Sequence, residues 1–168
     1  DLAMSSRALE LETNLREVET EVAPYAPTLI VVTKTYPLSD VEILHDLGAT
    51  NFGENRSSEG VEKSSAIEAT WHYQGEIQSK KIREILSWAD CLHSLDNQGH
   101  FEKIARVLAE SQGRIDLFLQ LSLDGDPERG GLKEFELLAL AEKVSACDEV
   151  NLLGIMSVPP VSYNALAA

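Results

Sequence analysis

Leu29-Ile30-Val31-Val32-Thr33-Lys34-Thr35-Tyr36-Pro37 is the stretch on which the fold turns. Its first five residues are apolar or β-branched, a composition that suits a buried strand. Next comes a lysine flanked by threonines, with no glycine. An open, nucleotide-type parallel sheet usually carries a glycine-rich phosphate turn after its first strand. A parallel barrel has no such need and places its working residues at the C-terminal ends of its strands. If the rest of the chain is built of βα units, this turn therefore favours the barrel.

The rest of the chain does alternate. Before the strand, Met4, Ala8, Leu11, Leu15, Val18 and Val22 recur at steps of three and four, which predicts a helix ended by Pro24 and Pro27. After it, Ser39 or Asp40 can cap a helix running to Leu47, stopped by Gly48. Strands are expected at Thr50–Gly53, Trp71–Gly75, Cys91–Leu95, Asp116–Leu123 and Asn151–Val158. Helices are expected from Ser57, over Ser79–Trp88, over Gln98–Glu110 and over Leu132–Val144. Strands alternating with helices mean parallel βαβ units. Near-continuous apolar runs such as Leu117-Phe118-Leu119-Gln120-Leu121 suit strands covered on both faces. The expected architecture is α/β, a TIM-type (β/α)8 barrel with six of its eight strands present, in one domain over residues 1–168.

Composition narrows the function. The 168 residues carry a formal net charge of -14, which argues against nucleic acid and anionic membranes as partners. No apolar run approaches the ~20 residues that span a bilayer. Cys91 and Cys147 form no C-x-x-C pair and read as buried thiols in a reducing compartment, so a cytoplasmic location is expected.

Polar residues cluster at the strand ends: Lys34, then Glu54 and Asn55, then His72, Gln74, Glu76 and Gln78, then His93 and Ser94, then Met156 and Ser157. In a barrel these ends converge on one mouth. Lys34 follows five residues expected to be buried, and desolvation there would free its amine as a nucleophile toward an aldehyde. From position alone it could equally snorkel to solvent. His72 can contact a ligand or serve as a bonded core histidine. His93 and Ser94 are adjacent and so should face opposite ways. No His, Cys or carboxylate spacing suggests a metal. Asp124–Gly131 resembles a calcium loop only loosely, and Arg129 within it is a candidate cation at the mouth.

Together these blocks resemble the pyridoxal phosphate homeostasis proteins of the YggS/PROSC type. Val31-Val32-Thr33-Lys34-Thr35-Tyr36-Pro37 is similar to the family's first-strand lysine motif, and Asn51-Phe52-Gly53-Glu54-Asn55 to its second-strand signature. Trp71-His72-Tyr73-Gln74-Gly75-Glu76-Ile77-Gln78-Ser79-Lys80-Lys81, His93-Ser94-Leu95-Asp96, Arg129-Gly130-Gly131 and Gly154-Ile155-Met156-Ser157-Val158-Pro159 resemble the next four, in order.

The resemblance implies an alanine-racemase-like barrel holding pyridoxal 5′-phosphate as a Schiff base on Lys34. It implies that Asn55, Met156 and Ser157 lie close to the cofactor, with His72 and Ser94 nearby. It implies a monomeric carrier in vitamin B6 homeostasis, without turnover of its own, that could supply pyridoxal phosphate-dependent apo-enzymes. The alternative is an amino-acid racemase or decarboxylase using the same cofactor, but neither Tyr36 nor Tyr73 is clearly placed as a racemase's second acid/base. A (β/α)8 barrel typically runs to about 250 residues. On that measure the sequence is expected to be a portion of a longer chain, with strands seven and eight and the phosphate-holding loops outside it.

Overall fold

Each predicted βα unit forms in the computed structural model, which describes residues 5–167. Helix α1 (Ser6–Val22) is capped by Ser5, whose Oγ accepts the Ala8 N–H. Strand β1 (Val31–Val32) leads to α2 (Leu38–Asp46), β2 (Asn51–Glu54) to α3 (Ser57–Ala66), and β3 (Thr70–Tyr73) to the short α4 (Ile82–Leu86). Strand β4 (Cys91–Leu95) leads to α5 (Gln98–Ser111), β5 (Ile115–Leu121) to α6 (Glu134–Ser145), and the last is β6 (Val150–Ser157).

All adjacent strand pairs are parallel, and the sheet order is β1-β2-β3-β4-β5-β6. A doubly wound sheet must reverse its strand order at a switch point. This one never reverses, so it is the arc of a singly wound barrel. The arc is not closed among the described residues: β1 and β6 are its two edges.

Alternation sorts the strand residues into two sets. Phe52, Trp71, Leu92, Leu117 and Leu119 face the helices and pack with Val41, Ile82, Ile85, Ile104, Leu140 and Val144 into one core. The opposite face, which would line a barrel lumen, carries Asn51, His72, His93 and Phe118. Two bulges interrupt the alternation. Leu92 and Leu95 pair with Leu117 and Leu119, so β4 holds one extra residue there. In β6 the extra residue is Leu153, because Leu117 and Phe118 pair with Leu152 and Gly154.

Several expectations need correction. The run Leu29–Thr33 yields only a two-residue strand, and Lys34 is exposed rather than buried. Asp40 does not cap α2, whose N-cap is Pro37. Its carboxylate instead takes a bidentate bond from Arg7, which ties α1 to α2 and holds that carboxyl below the usual range. The helix expected over Ser79–Trp88 is a 3-10 turn followed by one turn and a half of α-helix. The α1 stripe buries only Leu15 fully, while Val18 stays exposed. Its first predicted member, Met4, lies outside the described residues.

Gly60 on α3 is required by packing. A Cβ there would come within 2.2 Å of the Trp88 ring, whose Nε1 is anchored on Ser57 Oγ at 3.0 Å. Gly60→Ala gains helix propensity of about 1 kcal/mol but must drive α3 off a buried indole, at about 1–3 kcal/mol. We expect a net fall in the thermal midpoint by a few degrees. An unchanged or raised midpoint in calorimetry would show that α3 and Trp88 separate freely.

Candidate functional site

The parallel, in-order sheet brings every strand's C-terminal end to one edge. There the chain leaves β1 in a tight turn: the Tyr36 N–H donates to Thr33 O at 3.1 Å, with Lys34 and Thr35 as the two central residues. Thr35 has φ 68°, the left-handed conformation that glycine normally occupies at the third position of a turn. A β-branched residue there carries strain of about 1–3 kcal/mol. The strain is held by a hydrogen bond from the Thr35 N–H to Glu59 Oε1 on α3, at 2.8 Å.

The residues after β2, β3 and β4 meet closely. A Cβ on Gly75 would lie 2.3 Å from Asn55 O, so only glycine lets the two segments touch. Ser94 Oγ donates to Gly75 O. Asn55, Gly75 and Ser94 thus form a continuous wall. Beside it opens a cavity of about 380 Å³ lined by Gln74, Ser94, Gln120, Gly130 and Met156 among others. Ser94 and Met156, both singled out from the sequence, are therefore brought together at the mouth.

Ser157 is not. Past the β6 bulge it pairs with Leu121, in the set that alternation turns toward the helices, whereas Met156 pairs with Gln120. Arg129 does not offer a free cation either: its guanidinium is paired with Asp124 and, at 3.2 Å, with Asp126. The Asp124–Gly131 segment is a βα loop closed by these pairs and by Asp turns, in which the Asp126 and Glu128 N–H groups donate to Asp124 and Asp126.

His72 lies deeper, on the lumen face, in a directed chain. Its Nε2 meets Asn51 Oδ1 at 2.9 Å and its Nδ1 meets His93 Nε2 at 2.8 Å. With Asn51 accepting, His72 must donate from Nε2 and accept at Nδ1, so His93 donates from Nε2. His93 also stacks on Phe118, with centroids 4.8 Å apart. His93 and its neighbour Ser94 are both buried, on a strand covered on both faces, and the register shift of β4 falls between Leu92 and Leu95 around them. Burial, and then the neighbouring His72, push the His93 pKa down to about 4, and burial lowers that of His72.

Cys91 completes a set with the two histidines whose donor atoms lie within 4.8 Å of one another. Residue spacing did not reveal this set because it is assembled across β3 and β4. Both His72 nitrogens are already committed, and burial pushes the Cys91 thiol up to about 12. The two histidines are bonded to each other and to Asn51, while Cys91 stands beside them bonded to neither. Among the described residues no helix is long and apolar enough to cross a membrane.

Comparison with known proteins agrees with this geometry. The family described as alanine racemase, N-terminal domain, matches residues 8–165. A pyridoxal phosphate homeostasis protein of Corynebacterium glutamicum is 38% identical over 143 residues, covering 80% of this chain and 65% of the relative. One from Haemophilus influenzae is 28% identical, covering 81% of this chain and 60% of the relative. The chain thus spans about 60–65% of the length of these curated relatives. The structure of PipY from Synechococcus elongatus with PLP bound superposes with a TM-score of 0.84 at 28% identity, over 93% of this chain and 74% of PipY. An alanine racemase of Clostridium difficile shares the fold, at TM-score 0.73 and 13% identity over 88% of this chain and 39% of the racemase.

The histidine chain has a pH signature. Below pH 6.5 the unfolded chain takes up a proton that folded His93 refuses until about pH 4, so its contribution to stability is intact above 6.5 and is lost as pH falls through that window. The loss between pH 7 and 4.5 should be on the order of 2–3 kcal/mol. His93→Gln, which keeps a donor for His72, should flatten that part of the urea-unfolding profile. A slope equal to the wild type's would remove His93 as its source.

Proposed function

We propose that this chain, which belongs to the alanine racemase N-terminal-domain family, is a pyridoxal 5′-phosphate-binding homeostasis protein that holds the cofactor as a Schiff base on Lys34. The observation that carries this reading is the placement of Lys34: exposed, in a strained turn, on the edge where the strand ends converge. The residues present fit the aldehyde end of the cofactor. An amine stands where the strand ends converge, and on the same edge lies a cavity of about 380 Å³ whose wall mixes Gln74, Ser94 and Gln120 with the charged Glu76, Asp96 and Arg129. When bound, the cofactor supplies an electrophilic aldehyde and an electron-accepting ring. Lys34 would hold the group covalently through its Nζ, the amine supplying the lone pair and the aldehyde the electrophilic carbon.

Asn55 and Ser94, joined through Gly75, form the wall of the site nearest that amine's edge. Met156 supplies an apolar face to the cavity. His72 acts from below, through its chain to Asn51 and His93, by keeping the floor neutral. Ser157 contributes through its backbone, since its side chain falls in the outward set. Arg129, a cation on the cavity wall, is spent on two aspartates, so the phosphate is held by residues other than these.

A carrier is favoured over a racemase or decarboxylase by the relatives at 28–38% identity, which are pyridoxal phosphate homeostasis proteins, and by the state of Tyr73. Tyr36 is exposed beneath the Arg7 guanidinium, 5.7 Å from its ring, and Tyr73 is buried with its hydroxyl donating to Glu76 O at 2.6 Å. The Tyr73 hydroxyl is thereby committed and unsuited to the role of a second acid/base. We place the protein in the cytosol as a monomer that could pass its cofactor to pyridoxal phosphate-dependent apo-enzymes.

Adding pyridoxal phosphate to the full chain should raise an absorbance band near ~420 nm, typical of a protonated imine. Borohydride reduction and peptide mapping should then place the pyridoxyl group on the peptide containing Lys34. Lys34→Ala should abolish both signals, and neither protein should interconvert L- and D-alanine. A band that survives in Lys34→Ala would reject the assignment, and racemisation by the wild type would favour the enzyme.

A further inference from the structure

Behind the turn that carries Lys34 stands an ammonium with almost no access to water. Lys63, on α3, is 2 % exposed. Its Nζ donates to Thr33 O at 2.8 Å, the carbonyl immediately before Lys34, and to Glu54 Oε1 at 2.7 Å. It also reaches Glu59 Oε1 at 3.4 Å, the same oxygen that accepts the Thr35 N–H immediately after Lys34. Thr33 Oγ1 donates to Glu54 Oε1 as well. The backbone on both sides of Lys34 is therefore tied by side chains that meet at one buried nitrogen.

Such an arrangement is a poor way to stabilise a fold. Desolvating the ions of a buried pair costs energy that their attraction only roughly offsets, and an apolar residue of similar volume often does as well or better. Here two carboxylates share one ammonium, and Glu54 Oε2 is buried without a partner. The network does hold a turn in which a threonine occupies a glycine's conformation. Strain of this kind persists only where the surroundings over-determine it, and it gathers at working sites.

We propose that Lys63 is a positioning residue for Lys34: with Glu54 and Glu59 it locks the strained turn so that the Lys34 amine meets the cofactor's aldehyde carbon in a fixed direction. This rests on the assignment of Lys34 made above. Lys63 acts through the backbone of Thr33 and Thr35 and takes no part in bond making. Its loss should therefore weaken imine formation and leave non-covalent recognition of ring and phosphate intact. Displacements of about 1 Å at a reacting group can cost about a hundredfold in rate.

The test compares two ligands on the full chain. Pyridoxal 5′-phosphate carries the aldehyde, whereas pyridoxine 5′-phosphate has the same ring and phosphate but an alcohol that cannot form an imine. In Lys63→Met we expect the imine band to appear at least tenfold more slowly, with the affinity for pyridoxine 5′-phosphate changed less than twofold. Lys63→Arg should recover part of the rate. Equal loss for both ligands would mean a merely structural role, and no loss for either would mean none; each overturns the proposal. If Lys63→Met does not fold, Glu59→Ala, which cuts only the Thr35 arm, should show the same split in smaller measure, and its absence there overturns the proposal. A wild-type chain that forms no imine overturns the cofactor reading itself, and this role with it. A wild type that forms it at the same rate as the folded Lys63→Met overturns the role alone.

Discussion

Parallel strands paired in sequence order impose the constraint on which the rest of the molecule depends. Each strand must be returned to its starting end by a helix, so the helices coat one face of the sheet and the other face is left to a lumen. The same rule sends six chain segments across one edge, and those segments carry the polar residues. Lys34, Asn55, Gln74, Ser94, Gln120 and Met156 come from six different strands or their exits, yet no long-range folding device is needed to assemble them. The core on the helix side then acts as the rigid backing, with Phe52 stacked on Trp71 at 5.3 Å behind the two strands nearest the lysine turn.

The two faces handle polarity in opposite ways. On the lumen side, His93, His72 and Asn51 pass a single hydrogen-bond direction along and stay neutral, which is the inexpensive way to bury imidazoles. On the helix side, Lys63 and Glu54 are a buried ion pair with the half-buried Glu59 beside them, which is the expensive way. The neutral chain sits under the cavity floor. The charged one sits under a backbone segment whose conformation would otherwise relax.

Much of this was legible in the sequence because its determinants are local. Proline, glycine and apolar period located every helix and strand to within a few residues, and the missing glycine after Val32 pointed to the barrel. Lys34, Asn55 and Ser94 could be read as strand-end residues for the same reason. The misreadings came from tertiary facts. Asp40 has the composition of a cap, but Arg7, thirty-three residues earlier, outcompetes the helix N-terminus for its carboxylate. Glu59 and Lys63 draw no reading at all, because their i,i+4 spacing is that of any solvated helix pair and nothing local reveals that α3 turns Lys63 inward onto β2. The His72–Cys91–His93 set is invisible because His72 comes from β3, nineteen residues before the Cys91–His93 pair on β4.

The extra residue in β6 has a wider consequence. Up to Leu152 the even-numbered positions face the helices, and from Gly154 onward they face the lumen. The strand is thus a binary signal with a phase slip at Leu153. Met156 looks into the barrel only because of that slip, and Ser157 looks away for the same reason. A relative of equal length but with its bulge one register along would align residue for residue while exchanging inside for outside. At the end of this strand, sequence identity and spatial identity are separate quantities.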